Sequence, residues 1–356
     1  MKLKKLFVFA LSLLTLTACG GKATGEVTSS SSSSVELDAK GMEVLRFDDV
    51  VEGKETYYAG FPKNYGKTSE KKGTLEKLDY VTTVYGEDHV FNKYVNVYLP
   101  YGYNQNDTTK KYNVIYMEHG NKRSVDDLVH VGEETQFQRE LDNLFDPDKA
   151  GIDPAIVVFT TFYMDELRVT AGDTQQEELP PNFYLEVRND IVPLVETHYN
   201  TYLTENSDAA LKASRSHRAF TGYSRGSCCT WAMMIQNFEY FQYYSPMSAT
   251  SVGTMSMAEA KEKGEEAVWE QHKAVLDAHP ELPYFVYCGG GKKEAAERGL
   301  TSFVNLLVKK TDYFHWTNQP DDKGLFYAVS KLEHHDEYAT TYYYNSLKCF
   351  FQSTAK

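Results

Sequence analysis

The sequence predicts an α/β protein in which a mostly parallel central sheet carries helices on both faces. Two observations support this fold class. After about residue 75, runs of β-branched and aromatic residues alternate with amphipathic stretches of helical length. The chain also shows no internal repeat and no second linker, so residues 76–356 are expected to form one domain.

Each predicted element is a run with one dominant pattern, bounded by turn residues. The predicted strands are Tyr80–Tyr85, Tyr94–Leu99, Asn113–Glu118, Ala155–Phe162, Arg218–Tyr223, Phe241–Pro246, Pro283–Cys288 and Leu325–Val329. The predicted helices are Glu133–Phe145, Asn182–His198, Gly226–Asn237, Met257–Ala278, Glu294–Lys309 and Glu337–Phe351. Strands and helices alternate over most of this length, which is typical of parallel pairing.

The charge balance argues against nucleic acid as a partner. The chain of 356 residues has 37 Lys and Arg against 50 Asp and Glu, which gives a net charge of −13. Most nucleic-acid affinity rests on cationic contacts to phosphates, and this balance does not supply them. No His, Cys and Asp cluster has the spacing of metal ligands, so no metal site is predicted.

The N-terminus predicts an exported, lipid-anchored protein. An apolar run from Leu6 to Leu16 follows three lysines and is too short to span a bilayer, as in a signal peptide. The segment Leu16–Gly20 (LTACG) resembles the lipobox of bacterial lipoproteins, in which the chain is cut before the Cys and the thiol receives a diacylglycerol. This resemblance implies a signal peptide over residues 1–18 and an extracytoplasmic protein held to the cell membrane through Cys19. An ordinary signal peptide with an incidental Cys is the alternative.

Two further segments precede the predicted domain. Residues 19–40 consist largely of Gly, Ser, Thr and other small residues, including the serine run Ser29–Ser34, and predict a flexible tether. Residues 41–75 are mixed and contain several aromatics. They are compatible with an N-terminal strand or with a binding loop, and the sequence leaves this open.

The clearest chemical motif is a G-x-S-x-G sequence, Gly222–Gly226 (GYSRG), between a predicted strand and a predicted helix. This is the nucleophile-elbow pattern, in which a sharp turn holds a serine at the carboxyl end of a strand. Small residues two before and two after the serine let the strand and helix approach each other closely. Ser224 is therefore the predicted nucleophile.

A serine needs a base, and the elbow pattern places an acid and then a histidine downstream. His334 and His335 follow a predicted strand and precede the C-terminal helix, so one of them is the expected base. An oxyanion hole is also expected. Its predicted donors are the backbone N–H of Arg225, which follows the nucleophile, and that of Asn121, in the loop after an early central strand. His119 in the same loop is expected to pack beneath it rather than to act on substrate.

Several segments resemble carbohydrate esterase family 1, which includes feruloyl esterases, acetylxylan esterases and the esterase D group. In chain order, these segments are Val95–Pro100, Glu118–Gly120, Phe183–Tyr202, Gly222–Gly226, Ser245–Ala249 and His334–Asp336. The resemblance covers about residues 80–352. It implies an α/β-hydrolase fold and a Ser, His and acid triad without a cofactor. The implied substrates are acyl esters, feruloyl or acetyl, on plant polysaccharides such as xylan.

The resemblance also guides the choice of acid and base. The family places an aspartate shortly after the strand that ends near Cys288, where this chain has two lysines. Glu294 is the best substitute, with Glu297 and Asp312 as alternatives. The family has a catalytic His-Asp pair, and Asp336 directly follows His335, so the resemblance favours His335 over His334 as the base. The family commonly has Met where this chain has Arg225, and the cationic side chain could reach an acidic substrate group or point to solvent.

Two aromatic residues are predicted to contact substrate, because they stand in loops that could lie near the site. They are Tyr163, after a predicted strand, and Trp316. Two other functions remain open on the sequence alone. One is an acyltransferase, since mycolyltransferases resemble the same fold. The other is a non-catalytic carbohydrate-binding lipoprotein, since the standard acid is missing.

Overall fold

The computed structural model describes residues 36–37, 43–45, 50–62, 64–84, 90–149, 152–163, 175–294, 297–331 and 336–351. The predicted signal peptide, Cys19, most of the serine-rich tether and both candidate bases, His334 and His335, lie outside these ranges. Within the described ranges, no helix is both long and apolar enough to cross a membrane.

The described residues form a small two-stranded sheet and a nine-stranded main sheet. The strands are β1 (Glu43–Leu45), β2 (Thr56–Tyr58), β3 (Thr74–Thr82), β4 (Phe91–Leu99), β5 (Val114–Glu118), β6 (Ile156–Thr160), β7 (Arg218–Tyr223), β8 (Tyr243–Met247), β9 (Phe285–Gly291), β10 (His315–Trp316) and β11 (Gly324–Ser330). The main sheet has the order β10-β11-β9-β8-β7-β5-β6-β4-β3. Among the described strands of this main sheet, only the β3–β4 and β4–β6 pairs are antiparallel, so the predicted mostly parallel α/β sheet is confirmed.

The helices connect the strands. They are α1 (Gln136–Leu144), α2 (Gln175–Asn182), α3 (Tyr184–Glu186), α4 (Val192–His198), α5 (Asp208–Ala213), α6 (Arg225–Gln236), α7 (Met257–Lys263), α8 (Glu265–Ala278), α9 (Glu297–Leu307) and α10 (Asp336–Leu347). A π-helical turn (Val187–Ile191) precedes α4, and a 3₁₀ turn (Arg215–His217) precedes β7.

Two predicted helices are interrupted, each for a local reason. The predicted helix Met257–Ala278 divides into α7 and α8 at Gly264, whose φ of 81° no helix accommodates. The predicted helix Asn182–His198 contains the π-helical turn. Val192 N–H donates to Val187 O, five residues back, directly before Pro193, which has no N–H to continue the ordinary ladder.

The core lies on both faces of the sheet, as expected for parallel strands buried between helix layers. On β5, Val114 and Tyr116 belong to the apolar cluster on one face, which includes the inner side of α6 and α8. Ile115 and Met117 belong to the cluster on the other face, which includes α1 and α10. Side chains alternate along a strand, so one five-residue segment supports both layers.

The segment of residues 50–72, here called the N-terminal strap, packs against the rest of the protein. Val51 is fully buried in the core. Ala59 N–H donates to Asn345 Oδ1 (2.9 Å), and Asn345 Nδ2 donates back to Ala59 O (2.7 Å), which ties the strap to α10. Asn143 on α1 donates to two further strap carbonyls. The predicted boundary at residue 75 falls inside β3, and the strap belongs to the same compact unit, Glu36–Lys356.

Candidate active site

Ser224 lies in a strained turn between β7 and α6. Its φ of 56° and ψ of −113° belong to a backbone region that non-glycine residues rarely adopt. A Cβ on Gly222 would lie 2.2 Å from Gly226 O, and a Cβ on Gly226 would lie 2.6 Å from Glu118 O. Both flanking positions therefore require glycine, which explains the G-x-S-x-G spacing. The geometry is that of a nucleophile elbow.

The loop after β5 lies directly against the elbow. β5 and β7 are parallel neighbours, with Glu118 opposite Gly222, so both strands end at the same edge of the sheet. A Cβ on Gly120 would lie 3.4 Å from Ser224 Cβ. Arg225 is the first residue of α6, where backbone N–H groups have no partner within the helix. The two elements that carry the predicted oxyanion donors, Asn121 and Arg225, thus flank Ser224, and their role stays a prediction.

Tyr163 supports the loop after β5 from below, a role that its prediction as a substrate contact did not include. Its side chain is only 2% exposed. The hydroxyl donates to Asn121 Oδ1 (3.1 Å) and accepts from Lys122 N (2.7 Å). Lys122 has a φ of 59°, so this hydrogen bond holds a conformation that the backbone would otherwise avoid. In this structure the Tyr163 hydroxyl holds the loop that carries Asn121, and its predicted contact with substrate stays a prediction.

His119 lies beneath the same loop, as the sequence suggested. The imidazole is 6% exposed and hydrogen-bonds through Nδ1 with Gly120 O (2.7 Å) and through Nε2 with Thr161 Oγ1 (2.7 Å). Because Gly120 O can only accept, Nδ1 carries the proton in the neutral ring, and Nε2 accepts from the Thr161 hydroxyl. The ring therefore links the β5 loop to the residue that follows β6.

Glu118 is a polar residue of the site to which the sequence alone assigned no role. Its carboxyl group is fully buried at the end of β5, where it accepts from Thr160 Oγ1 (2.6 Å) and, at 3.3 Å, from Phe162 N. Burial raises the pKa of this carboxyl from 4.5 to about 8. The buried ion pair of Lys93 and Glu186 (2.5 Å) lies close enough to affect it. The available signal was a charged residue in an otherwise apolar strand.

The first choice for the triad acid, Glu294, lies at the same edge of the sheet as Ser224. It follows β9, two strands from β7, and is 3% exposed. Its Oε1 accepts from Tyr342 Oη (2.7 Å), from Gly291 N (3.0 Å) and from Ser248 Oγ (3.1 Å). Tyr342 belongs to α10, the helix that directly follows His335. The carboxylate is therefore fixed next to the helix that the predicted base precedes.

The alternative Asp312 occupies a different place. It is exposed and precedes the amino end of β10, so it lies at the sheet edge opposite Ser224. Glu297 begins α9, three residues after Glu294. Of the three candidates, Glu294 is the one whose described side chain lies at the edge that carries the nucleophile.

Trp316 is not a substrate contact, and this prediction was wrong. It lies on β10, where it pairs with Leu325, the second residue of β11. The end of β11 at Ser330 is five residues further on, or about 16 Å along a strand. The Trp316 indole N–H donates to Glu55 O (3.1 Å) in the N-terminal strap. The side chain thus covers the amino end of the sheet, away from the nucleophile.

A cavity of about 380 Å³ opens beside the elbow. It lies between the β5 loop and α10, and its walls include Gly120 and Tyr223, the neighbours of Ser224 in space and in sequence. Phe137 and Tyr343 contribute aromatic surface. Its size and mainly apolar walls are typical of pockets that bind small organic groups. A group joined to a carbonyl at Ser224 could enter it.

A parallel sheet with a serine held at a strained turn on its carboxyl edge places this protein among the α/β-hydrolases. A family model described as Esterase matches residues 92–338, which is more than half of the chain. The chain belongs to this family.

Three relatives illustrate the similarity. The chain is 28% identical over 295 residues to endo-1,4-β-xylanase Y of Acetivibrio thermocellus, and this match covers 83% of the chain and 24% of that relative. The chain thus spans about a quarter of the relative's length. A mutant feruloyl esterase module from Clostridium thermocellum complexed with sinapinate has a TM-score of 0.69 at 24% identity, with 84% of this chain and 95% of that one covered. The CE1 ferulic acid esterase of the anaerobic fungus Anaeromyces mucronatus has a TM-score of 0.57 at 18% identity, with 83% of this chain and 98% of that one covered.

These likenesses bear out the expected α/β-hydrolase fold and the resemblance to carbohydrate esterase family 1. Neither the acyltransferase nor the non-catalytic alternative is favoured by them.

Proposed function

We propose that this protein is a serine esterase that removes feruloyl or acetyl groups from plant cell-wall polysaccharides such as xylan. The strained backbone of Ser224 at the carboxyl edge of the sheet carries the proposal. The esterase family membership supports the reaction. The substrate class is supported by relatives that are named a xylanase and a feruloyl esterase module.

In the proposed reaction, the Ser224 hydroxyl attacks the ester carbonyl while His335 takes its proton. Glu294 orients the imidazole and stabilises its charged form. The backbone N–H groups of Arg225 and Asn121 stabilise the oxyanion of the tetrahedral intermediate. As the C–O bond of the ester breaks, His335 gives its proton to the leaving sugar oxygen, which departs as a hydroxyl, and water hydrolyses the acyl-enzyme by the same route. No cofactor takes part.

Three variants test the nucleophile and the acid together. Ser224→Ala is expected to lower kcat on methyl ferulate or an aryl acetate by about 10⁴-fold or more, with an unchanged circular dichroism spectrum. Glu294→Gln is expected to lower kcat by about 10³-fold or more, because the base loses its anionic partner. Asp312→Asn serves as the matched control and should retain activity. Substantial turnover by Ser224→Ala would disprove the mechanism, and a larger loss in Asp312→Asn than in Glu294→Gln would reassign the acid.

The acyl group is determined by a parallel assay of the folded body, starting near residue 40, on methyl ferulate, aryl acetate and acetylated xylan. A hundredfold preference in kcat/KM for the ferulate or for the acetates would define the subclass. The absence of hydrolysis of all three esters would contradict the proposed substrate class.

We also propose that the protein acts outside the cytoplasm and is held to the membrane by a lipid on Cys19. The lipobox-like segment Leu16–Gly20 supports the anchor. Expression in a bacterial host with a labelled fatty acid should label the wild-type chain but not Cys19→Ala. Equal labelling of both would contradict the anchor.

A further inference from the structure

The side chain of Arg225 presents a positive charge next to the proposed nucleophile. Arg225 follows Ser224 directly and begins α6, so its position is fixed by the elbow itself. The side chain is half-buried. Its backbone is predicted to serve the oxyanion hole, but nothing in that role requires a cationic side chain.

The Arg225 guanidinium group makes only a weak hydrogen bond, whereas two other arginines of the protein form an ion pair or strong hydrogen bonds. Arg225 Nη1 contacts Met257 Sδ at 2.7 Å, and a thioether is a poor, uncharged acceptor. Within the described ranges, no carboxylate lies within ion-pairing distance of this group. By contrast, Arg218 pairs with Glu196 at 2.6 Å, and Arg215 donates to the carbonyls of the loop before β8. Arg225 therefore retains most of its capacity to bind an anion.

The position of Arg225 separates it from the cavity. Arg225 and Met257 belong to α6 and α7, and α6 packs on one face of the sheet. The cavity lies against α1 and α10 on the other face. Ser224 stands between them at the sheet edge. A substrate bound across Ser224 therefore places its acyl group and its alcohol group on different sides, and the aromatic cavity suits the acyl group.

We infer that Arg225 selects esters whose alcohol part carries a carboxylate, such as a uronic acid residue near the acylated sugar. This inference rests on the proposed esterase function. A guanidinium group can bind a carboxylate through two parallel hydrogen bonds, which a neutral sugar cannot match.

The net charge of −13 limits the type of anion. A polymer with many charges is repelled by the acidic surface as a whole, whereas a single carboxylate interacts mainly with groups within about 10 Å at ordinary salt. The expected ligand is an isolated uronate on an otherwise neutral chain.

The test compares two feruloyl esters with the same acyl group, ethyl ferulate and the feruloyl ester of glycolate, whose alcohol part carries one carboxylate. The wild type is expected to prefer the glycolate ester by about tenfold in kcat/KM, after correction for the intrinsic reactivity of each ester towards hydroxide. Arg225→Met is expected to abolish the preference while keeping the backbone N–H. Arg225→Lys should keep part of it, since the charge remains. Added salt should reduce the preference of the wild type.

Arg188→Met is the matched control, because Arg188 contacts Asn189 and the ring of Tyr240 near the amino end of β8, remote from Ser224. This variant removes the same charge and should leave the preference between the two esters intact. Equal use of both esters by the wild type, or an unchanged preference in Arg225→Met, would overturn the inference. If neither ester is hydrolysed, the same two alcohol parts are compared as acetyl esters. Failure to hydrolyse either acyl series contradicts the proposed function itself, so the two failures are distinguishable.

Discussion

The buried carboxyl group of Glu118 is expected to make the protein less stable as the pH rises. The folded state raises the pKa of this group from 4.5 to about 8, so the folded protein keeps a proton that the unfolded chain releases. Because the folded state binds more protons between these values, the free energy of unfolding falls with rising pH. The contribution of the protonated Glu118 carboxyl to the free energy of unfolding is fully present below pH 4.5 and is lost as the pH rises through 8. Integration from pH 5 to pH 8 gives a loss of about 3 kcal/mol.

Urea denaturation of the wild type and of Glu118→Gln at pH 5 and pH 8 measures this effect. Glutamine is neutral at both values and can still accept from the Thr160 hydroxyl. The free energy of unfolding of the variant relative to the wild type should therefore rise by about 3 kcal/mol between pH 5 and pH 8.

A matched control is Asp107→Asn. Asp107 is an exposed carboxyl whose pKa is lowered from 3.8 by the Thr109 hydroxyl, so its titration ends below the range studied. The difference in the free energy of unfolding between Asp107→Asn and the wild type should be the same at both pH values. The reasoning is refuted if the difference in the free energy of unfolding between Glu118→Gln and the wild type is also the same at both pH values. Glu118 would then not hold a proton in the folded state.

Two further predictions concern residues that hold other parts of the structure. Tyr163→Phe removes the hydroxyl that fixes Lys122 and Asn121, so kcat on an aryl ester should fall about tenfold while KM changes little. Rapid ester kinetics measure this, and a rise in KM with kcat unchanged would instead indicate a substrate contact. Asn345→Ala leaves the backbone N–H and C=O of Ala59 without their partner and should lower the free energy of unfolding by about 2 kcal/mol. Thermal or urea unfolding measures the change, and an unaltered midpoint would mean that the strap contributes little to stability.

The elbow could be predicted from sequence because its constraints are local. Gly222 and Gly226 are required by contacts within five residues and by one neighbouring strand, and the predicted strand Arg218–Tyr223 agrees with β7 at both ends. Glu294 could be proposed because it follows a strand whose place in the fold was known from the family resemblance. His335 stays a prediction.

The wrong prediction and the two omissions concern residues whose role depends on distant parts of the chain. β10 has only two residues, too few to show a strand pattern, so the sequence could not indicate that Trp316 lies at the amino end of the sheet. Tyr163 was expected in a loop near the substrate, but its burial depends on the path of residues 119–122, which no local pattern specifies. Glu118 was overlooked because a carboxyl group in an apolar strand becomes informative only when its buried partners are known.

The strap also bears on the order in which the protein folds. Ala59 and Asn345 are separated by 286 positions, so these hydrogen bonds cannot form until nearly the whole chain has left the ribosome. Closing so long a loop costs conformational entropy, and contacts of this separation tend to form late. In the folded protein, Tyr57 packs on Phe326 and Phe61 packs on Tyr344. During synthesis, Tyr57 and Phe61 are therefore exposed to solvent or bound by a chaperone until these partners have been made. A nascent chain stalled before α10 would expose the same surface and is expected to be the most aggregation-prone intermediate.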